Sequence, residues 1–256
     1  MTESTIVVLP TYNEIDSLPL VVARLRKAVP AAHILIVDDA SPDGTGELAD
    51  LMAARIAEVH VLHRAGKQGL GPAYIAGFAE ALALGFEVVV QSDADGSHRP
   101  EDLPRMLSAL GAADVVIGSR WTSGGAVERW SMHRYLLSRA GSLYAGWMLG
   151  LRQKDVTGGY RAFRADALRE IDPARVSSRG YCFQIEMLDR AVHGGCRVVE
   201  VPITFDDRLH GESKMSGRII VEALRQVTRW GIERRRGRAP RRESAAVAET
   251  PEDVHV

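Results

Sequence analysis

The chain has 256 residues, of which 46% are hydrophobic, so it can bury one substantial core, as α/β domains of this size commonly do. The formal net charge of −1 does not by itself indicate a partner. The two cysteines, Cys182 and Cys196, form neither a C-x-x-C pair nor a disulfide framework, which predicts a reducing, cytosolic setting. A signal-peptide pattern and an uncharged apolar run of about 18 residues are both absent, so we expect no cleaved leader and no membrane-spanning helix.

The first 120 residues alternate between strand-like and helix-like segments. Short β-branched runs predict strands at residues 5–9, 33–37, 59–62, 86–91 and 114–117. Helical spacing predicts helices at residues 15–28, 46–57, 71–84 and 101–110. This alternation is typical of βαβ units in a mostly parallel sheet with helices on both faces. Such sheets bind ligands at the carboxyl ends of their strands, so the residues after each strand are the candidate site residues.

The pattern changes from about residue 131. We predict helices at residues 131–149, 183–193 and 216–232, and two short strands at residues 197–201 and 203–205 that are separated by Pro202. Residues 1–232 are therefore expected to form one domain. Residues 233–256 are first basic and then acidic, and they lack the apolar side chains that would offset ordering entropy, so we expect a disordered tail.

Acidic side chains follow three of the predicted strands, in residues 10–14 (PTYNE), 38–44 (DDASPDG) and 93–98 (DADGSH). Like charges at one sheet edge repel unless a cation binds. Asp93 and Asp95 are two residues apart, so both can face a hard cation such as Mg²⁺, which completes its shell with water and phosphate oxygens. An isolated D-x-D could equally be an Asx turn, but the two other acidic strand ends favour the metal.

Three other features have an ordinary structural interpretation. Residues 64–71 (RAGKQGLG) could be a phosphate cradle or a plain turn before a helix, and they match no standard nucleotide-binding motif. Residues 155–161 (DVTGGYR) could be a helix C-cap with Gly158 or Gly159 at positive φ, or could bind the acceptor or sugar. His98 is explained as a polar loop residue, and Glu186 as a structural ion-pair partner.

The ordered set of motifs resembles the family-2 inverting glycosyltransferases, which have the GT-A fold. The segments that carry this resemblance are residues 10–14 (PTYNE), 37–45 (VDDASPDGT) and 92–98 (SDADGSH). Residues 118–120 (GSR), 155–161, 202–205 (PITF) and 211–215 (GESKM) are similar to dolichol-phosphate mannosyltransferases, also called polyprenol monophosphomannose synthases. The resemblance spans about residues 4–232. It implies a GT-A nucleotide-sugar-binding fold and metal-dependent transfer of mannose from GDP-mannose to a polyprenyl phosphate, with inversion.

The resemblance also implies roles for individual residues. Those expected to hold guanosine are Pro10, Tyr12, Glu14, Val37 and Asp39. Those expected at the Mg²⁺ or Mn²⁺ ion and the diphosphate are Asp93, Ala94 and Asp95, with Asp93 and Asp95 as metal ligands. Those expected to bind phosphate groups are Arg120, Arg208 and Lys214. Our mechanism adds Arg134, which could equally be a helix-surface cation, and these four residues with Asp95 make up the predicted catalytic set. Some relatives have a glutamine metal ligand where this chain has Ser97, so water is expected to replace a third protein ligand.

The implied partners are GDP-mannose, polyprenyl phosphate in the bilayer, and either a membrane surface or a separate membrane protein, with no nucleic acid. We expect a cytoplasmic enzyme held peripherally at the membrane by helices 131–149 and 216–232 and by the arginines that follow them. Three alternatives stay open at this point. The first is transfer of another hexose to a lipid phosphate, for example from UDP-glucose. The second is a nucleotidyltransferase, which should have a glycine-rich diphosphate loop near the first strand. The third is a non-catalytic membrane-surface scaffold.

Overall fold

The computed structural model describes residues 3–176, 178, 180–207 and 217–236. Its strands are β1 (Thr5–Thr11), β2 (His33–Asp38), β3 (Val59–His63), β4 (Val88–Gln91), β5 (Val115–Ser119), β6 (Ala126–Val127), β7 (Arg161–Arg164), β8 (Val198–Pro202) and β9 (Thr204–Phe205). Its α-helices are α1 (Leu18–Ala28), α2 (Thr45–Ala53), α3 (Leu70–Ala83), α4 (Leu103–Ala109), α5 (Met132–Leu149), α6 (Ala165–Ile171), α7 (Tyr181–His193) and α8 (Gly217–Arg235). No helix in these ranges combines the length and apolar character that a bilayer crossing requires.

Seven strands form one central sheet in the order β3-β2-β1-β4-β7-β5-β8. The pairs β1–β2, β1–β4, β2–β3 and β5–β8 are parallel, and β7 runs antiparallel between β4 and β5. The predicted mostly parallel sheet is therefore confirmed. Strand β7 was not predicted, because its sequence RAFR is short and has an arginine at each end, which hides the usual apolar signature of a buried strand.

The sheet is covered by helices on both faces, as predicted. One apolar layer joins α1 and α4 to the sheet, with Leu18 and Met106 among its fully buried members. The layer on the other face joins α3 and α7 to the sheet through side chains such as Phe78 and Phe183. These two apolar layers cover the faces of the sheet, and the predicted site residues lie at the strand ends.

The crevice at the carboxyl ends of β2, β1 and β4 is set by the topology. The chain moves outward from β1 through β2 to β3 and then returns to place β4 on the other side of β1. This reversal of strand order opens a crevice above the sheet edge. Backbone hydrogen bonds from Asp39 N to Thr11 O (3.1 Å) and from Ser92 N to Val8 O (3.2 Å) continue the pairing to that edge. The three predicted acidic segments therefore lie beside one another.

Several predicted boundaries are wrong in detail. Pro202 is the last residue of β8 rather than a break between two strands of one sheet, and β9 pairs with β6 in a separate two-stranded ribbon. Helix α5 ends at Gly150, which has φ of 69°, whereas neither Gly158 nor Gly159 has positive φ. The proposed cap at residues 158–159 is therefore wrong.

Helix α8 also differs from its prediction. It continues to Arg235, so the first arginines assigned to the tail are helical, and residues 237–256 lie outside the described ranges. The apolar face that we expected to be exposed is in part packed against the protein itself. Val227 is buried, and Gly231 lies so close to Met148 of α5 that a Cβ there would come within 2.5 Å of the Met148 methyl carbon.

Candidate active site

The two candidate metal ligands lie on the loop that follows β4. Asp95 is 5% exposed, and its Oδ1 accepts hydrogen bonds from the Ser97 backbone N–H (3.0 Å) and hydroxyl (2.6 Å). Asp93 Oδ1 accepts a 2.6 Å hydrogen bond from the Tyr74 hydroxyl. Burial, and then the negative charge of Asp93, raise the pKa of Tyr74 well above its usual range. The tyrosine is therefore the proton donor in this bond, and one oxygen of each carboxylate is held by the protein.

His98 closes the same loop. Its Nδ1 accepts the Asp93 backbone N–H at 2.9 Å, so the ring is a neutral imidazole with its proton on Nε2. Burial lowers the pKa of His98, which agrees with that neutral form. The ring stacks on Tyr160 with centroids 4.8 Å apart. Our interpretation of His98 as an ordinary polar loop residue is wrong, because it is buried and shapes the backbone between the two aspartates.

The residues present suit a hard divalent cation held by few protein ligands. Among the described residues, no group of three or more His, Cys, Asp or Glu side chains is arranged to bind a metal ion. The Ser97 hydroxyl donates to Asp95 Oδ1 at 2.6 Å, and the replacement of a third protein ligand by water stays a prediction. Asp93 and Asp95 could therefore supply two carboxylates to Mg²⁺ or Mn²⁺ bound with water and phosphate oxygens.

The acidic segment after β2 does not join this donor set. Asp38 accepts hydrogen bonds from the Thr11 hydroxyl (2.9 Å) and from the backbone N–H (3.0 Å) and hydroxyl (2.6 Å) of Ser41. Although desolvation opposes the shift, hydrogen bonds from Thr45 lower the pKa of Asp43. Our argument that the acidic strand ends require a bound cation was therefore too broad, because internal donors already stabilise those at the end of β2.

The basic segment 64–71 lies over two residues predicted to hold the nucleotide. Arg64 forms an ion pair with Asp39 in which both side chains are nearly buried. The Lys67 ammonium lies 3.7 Å from the centroid of the Tyr12 ring. Because Lys67 and Gln68 are exposed, these contacts do not by themselves separate a phosphate cradle from a plain turn. The structure thus places two cations beside the predicted nucleotide residues.

The remaining predicted nucleotide residues have different environments. Glu14 receives a hydrogen bond from the Ser17 hydroxyl at 2.7 Å, and Pro10 is partly buried at the end of β1. The side chains of Val37 and Ala94 belong to the apolar core. Any ligand contact of these two residues would therefore be made by the backbone, and the predicted role of Val37 in holding guanosine stays a prediction.

Arg120 lies in a buried ion pair that the sequence pattern did not reveal. Its Nε and Nη2 donate to the two oxygens of Asp155 at 2.7 and 2.6 Å, and Nη2 also donates to Thr157 at 3.0 Å. The side chains of Arg120 and Asp155 are 8% and 0% exposed. Asp155 is thus an orienting partner of Arg120 rather than part of a helix cap.

Arg161 has a comparable supporting role. Its guanidinium donates to the backbone carbonyls of Val156, Gly158 and Gln184 at 3.0, 2.9 and 2.7 Å. Burial lowers the pKa of Arg161 to about 10, and these three acceptors offset the desolvation of its charge. The side chain therefore fixes the loop that carries Asp155, and it is too deeply buried to contact a substrate.

An aromatic cluster, formed by Trp121, Trp130 and Phe205, connects the arginines to the acidic loop. The Arg120 guanidinium carbon lies 5.2–5.5 Å from all three ring centroids, and that of Arg134 lies 4.1 Å from Trp130. The Phe205 ring also packs edge-on against the His98 ring, with the two ring centroids 5.3 Å apart. The aromatic cluster therefore links Arg120, Arg134 and the Asp93–Asp95 loop through one continuous set of contacts. We did not predict these aromatic residues, since they are dispersed along the chain.

Other predicted site residues are engaged with neighbours or lie outside the described ranges. Arg134 Nη1 donates to Asp207 at 2.6 Å. Glu186 accepts from the backbone N–H of Ser178 at 3.1 Å, and its predicted role as an ion-pair partner stays a prediction. Arg208 and Lys214 lie outside the described residues, so their phosphate-binding roles stay predictions.

Comparison with known proteins decides the family. The model of "Glycosyl transferase family 2" matches residues 6–172. The chain belongs to glycosyl transferase family 2. Among relatives of this family-2 chain, undecaprenyl-phosphate mannosyltransferase of Micrococcus luteus is 58% identical over 88% of this chain and 93% of its own length. Polyprenol monophosphomannose synthase of Mycolicibacterium smegmatis is 52% identical over 93% of this chain and 91% of its own length.

Solved structures support the same fold for this family-2 glycosyltransferase. Glucosyl-3-phosphoglycerate synthase of Mycobacterium tuberculosis, in complex with Mn²⁺, UDP and glucosyl-3-phosphoglycerate, aligns with a TM-score of 0.63 and 20% identity over 93% of this chain and 81% of its own. The Mn²⁺–UDP–phosphoglyceric acid complex of that enzyme aligns with a TM-score of 0.64 and 18% identity over 93% and 80%. The predicted GT-A fold, the glycosyltransferase activity and the resemblance to polyprenol monophosphomannose synthases are confirmed.

Proposed function

We propose that this enzyme transfers mannose from GDP-mannose to a polyprenyl phosphate with inversion, releasing GDP and polyprenyl phosphate mannose. The observation that carries the proposal is the convergence of a two-carboxylate loop, Asp93 and Asp95, with Arg120 and Arg134 at one strand-end crevice. A carboxylate pair suits a metal-bound diphosphate, and guanidinium groups suit phosphate oxygens. The names of the two bacterial relatives support mannose as the sugar and a polyprenyl phosphate as the acceptor.

The chemistry needs little from a general base. The second pKa of a phosphate monoester is about 6, so the acceptor phosphate is largely ionised at neutral pH and can attack the anomeric carbon directly. A single displacement then inverts the anomeric centre. What the protein contributes is the positioning of two anionic groups and stabilisation of the charge that develops on the leaving diphosphate.

The proposed site residues fall into a group that would bind the sugar donor and a group that would bind the acceptor phosphate. Asp93 and Asp95 would hold Mg²⁺ or Mn²⁺, which when bound supplies Lewis-acid neutralisation of the leaving diphosphate. Arg120 would bind acceptor phosphate oxygens while Asp155 keeps its guanidinium in place. Arg134 is placed beside it on Trp130, and Arg208 and Lys214 are proposed to join them.

Donor binding would use the segments after β1, β2 and β3. The Tyr12 ring can stack on a purine, and the Asp39 carboxylate can accept hydrogen bonds from guanine or ribose. Arg64 and Lys67 already contact these two residues. In the donor complex, these cations would turn toward the diphosphate, so the basic segment is proposed to act as the phosphate cradle.

Incubation of the enzyme with a panel of radiolabelled nucleotide-sugars, polyprenyl phosphate and Mg²⁺ tests this proposal. We expect organic-phase label from GDP-mannose and little from UDP-glucose, no label without the polyprenyl phosphate, and loss of transfer in EDTA that Mg²⁺ or Mn²⁺ restores. A preference for UDP-glucose would replace the donor assignment by another hexosyl transfer. Full activity after exhaustive chelation would refute the metal role.

Because the proposed acceptor is anchored in a bilayer, we also propose that helices α5 and α8 contact the membrane surface. Exposed apolar residues form a stripe on each helix, namely Met132, Leu136, Leu143 and Trp147 on α5 and Val221, Leu224 and Ile232 on α8. Arg235 lies over Trp147 with its guanidinium carbon 5.1 Å from a ring centroid. Apolar stripes bordered by arginines and tryptophan suit the headgroup region of an anionic membrane.

Flotation with liposomes tests this surface. We expect Leu143→Ser/Trp147→Ser, which changes side chains that are 62% and 66% exposed, to weaken binding to anionic vesicles about tenfold or more, since each large apolar side chain contributes roughly 1.5–3 kcal/mol on burial. The matched control is Leu51→Ser/Leu84→Ser, which changes exposed leucines of α2 and of the α3 end.

Truncation after Arg236 tests the tail arginines and preserves the 2.6 Å ion pair between Arg234 and Asp189. Equal flotation of all variants would exclude α5 as the contact, and flotation only with a membrane protein present would assign the surface to that protein.

A further inference from the structure

The core residue Tyr74 reaches the candidate metal site from beneath. It lies on α3 and is fully buried. Its ring is stacked against Phe78 and Phe183, with centroid distances of 5.7 and 6.1 Å. Phe78 in turn packs edge-on against Phe163 of β7. The position of the Tyr74 ring is therefore set by the packing of the apolar core.

The single polar atom of this side chain meets a single carboxylate. The Tyr74 hydroxyl donates to Asp93 Oδ1 at 2.6 Å, a short, charge-assisted hydrogen bond. Phenylalanine would fill the same space in the aromatic stack, so the ring alone does not require a hydroxyl here. The hydroxyl thus has a role at the strand end rather than in the core.

Asp93 is held at a second point as well. Its backbone N–H donates to His98 Nδ1 at 2.9 Å, and His98 is itself fixed by stacking on Tyr160. One contact restrains the main chain of Asp93 and the other restrains its carboxylate. With both in place, Asp93 Oδ1 is occupied by the protein and the carboxylate plane is oriented before any ligand binds.

We infer that Tyr74 is a positioning residue for the metal site, which orients Asp93 from the core so that the Asp93–Asp95 pair is preformed for a divalent cation. The inference rests on the proposed function, because it assumes that these two carboxylates bind the cation. Outer-shell partners of metal ligands commonly contribute about 10- to 100-fold to metal affinity. Loss of this hydroxyl should therefore weaken metal binding by a similar factor.

The test measures the affinity of the GDP-bound full chain for Mn²⁺. The electron paramagnetic resonance signal reports the concentration of free Mn²⁺, and the result is corrected for Mn²⁺ that binds to GDP alone. We expect Tyr74→Phe to raise the dissociation constant for Mn²⁺ about 10- to 100-fold. The matched control is Tyr144→Phe, which removes a tyrosine hydroxyl that is hydrogen-bonded to Thr228 at 2.5 Å on another part of the molecule. Its Mn²⁺ affinity should equal that of the unmodified chain.

A double-mutant cycle separates positioning from a general effect on folding. If Tyr74 acts through Asp93, then Tyr74→Phe should have no further effect on Mn²⁺ affinity in an Asp93→Asn background. Reduced thermal stability of Tyr74→Phe with unchanged Mn²⁺ affinity would overturn the inference and leave the proposed function in place. Failure of the unmodified chain to bind Mn²⁺ would overturn both the inference and the metal role. If Tyr74→Phe weakened Mn²⁺ binding by the same factor in the unmodified and the Asp93→Asn backgrounds, the inference about Tyr74 would also be overturned.

Discussion

Asp95→Asn should reduce the turnover number for mannosyl transfer about 100- to 1000-fold at saturating Mg²⁺. The amide keeps the size of the side chain but loses the negative charge that the proposed metal site requires. A metal that stabilises the leaving diphosphate contributes several kcal/mol to the transition state, and each 1.4 kcal/mol corresponds to about tenfold in rate. Steady-state assays at several Mg²⁺ and Mn²⁺ concentrations would report both the turnover number and the apparent metal affinity.

The control for this prediction is Asp50→Asn, since Asp50 is exposed on α2 and pairs with His63. This variant should retain the turnover of the unmodified enzyme. Turnover of Asp95→Asn close to that of the unmodified enzyme in saturating Mg²⁺ would show that Asp95 is not needed for catalysis. Residual activity that rises steeply with metal concentration would instead identify a ligand whose loss can be partly offset by mass action.

Asp155→Ala should destabilise the folded protein by about 3–5 kcal/mol. Its carboxylate is fully buried and receives two hydrogen bonds from the Arg120 guanidinium and one from the Arg120 backbone N–H, at 2.7, 2.6 and 2.9 Å. Removing one partner of a buried ion pair leaves the other charge desolvated and uncompensated. Urea denaturation at neutral pH would measure the change in the free energy of unfolding.

Two further variants identify the cause of this loss. Adding Arg120→Met to Asp155→Ala should recover part of the stability, because the uncompensated charge is then gone, while transfer activity should stay low. Asp166→Ala breaks an exposed pair with Arg169 and should change stability very little. An Asp155→Ala effect no larger than that of Asp166→Ala would mean that water reaches Arg120 and that the pair is not buried in solution.

The two predictions concern opposite sides of one site. Asp95 belongs to the loop that would hold the metal and the donor diphosphate, and Asp155 holds the arginine that would bind the acceptor. The aromatic cluster lies between them, with Phe205 touching both His98 and Arg120. A change on either side should therefore affect the distance and alignment of the two phosphate groups.

The sequence by itself determined six of the seven strands of the sheet, most of the helices and the strand ends where the candidate site residues lie. Strands β1 to β5 have β-branched runs with turn residues after them, and these local patterns reflect burial on both faces of a parallel sheet. The family followed from an ordered set of motifs. Asp93 and Asp95 could be selected because two carboxylates two residues apart at a strand end can both face one cation.

Only the tertiary structure decided which buried polar groups hold the predicted site residues in place. Tyr74 and Asp155 are distant in the chain from Asp93 and Arg120, the residues that they hold. His98 is close to Asp93 in the chain, but its local sequence pattern is that of an ordinary loop. Sequence spacing therefore indicates none of these contacts. Asp38 and Asp43 look like further metal ligands by composition, but hydroxyl and backbone donors satisfy them. The physical reason is that a buried polar group must find its partner through the fold, and hydrogen bonds between distant segments leave no periodicity in the sequence.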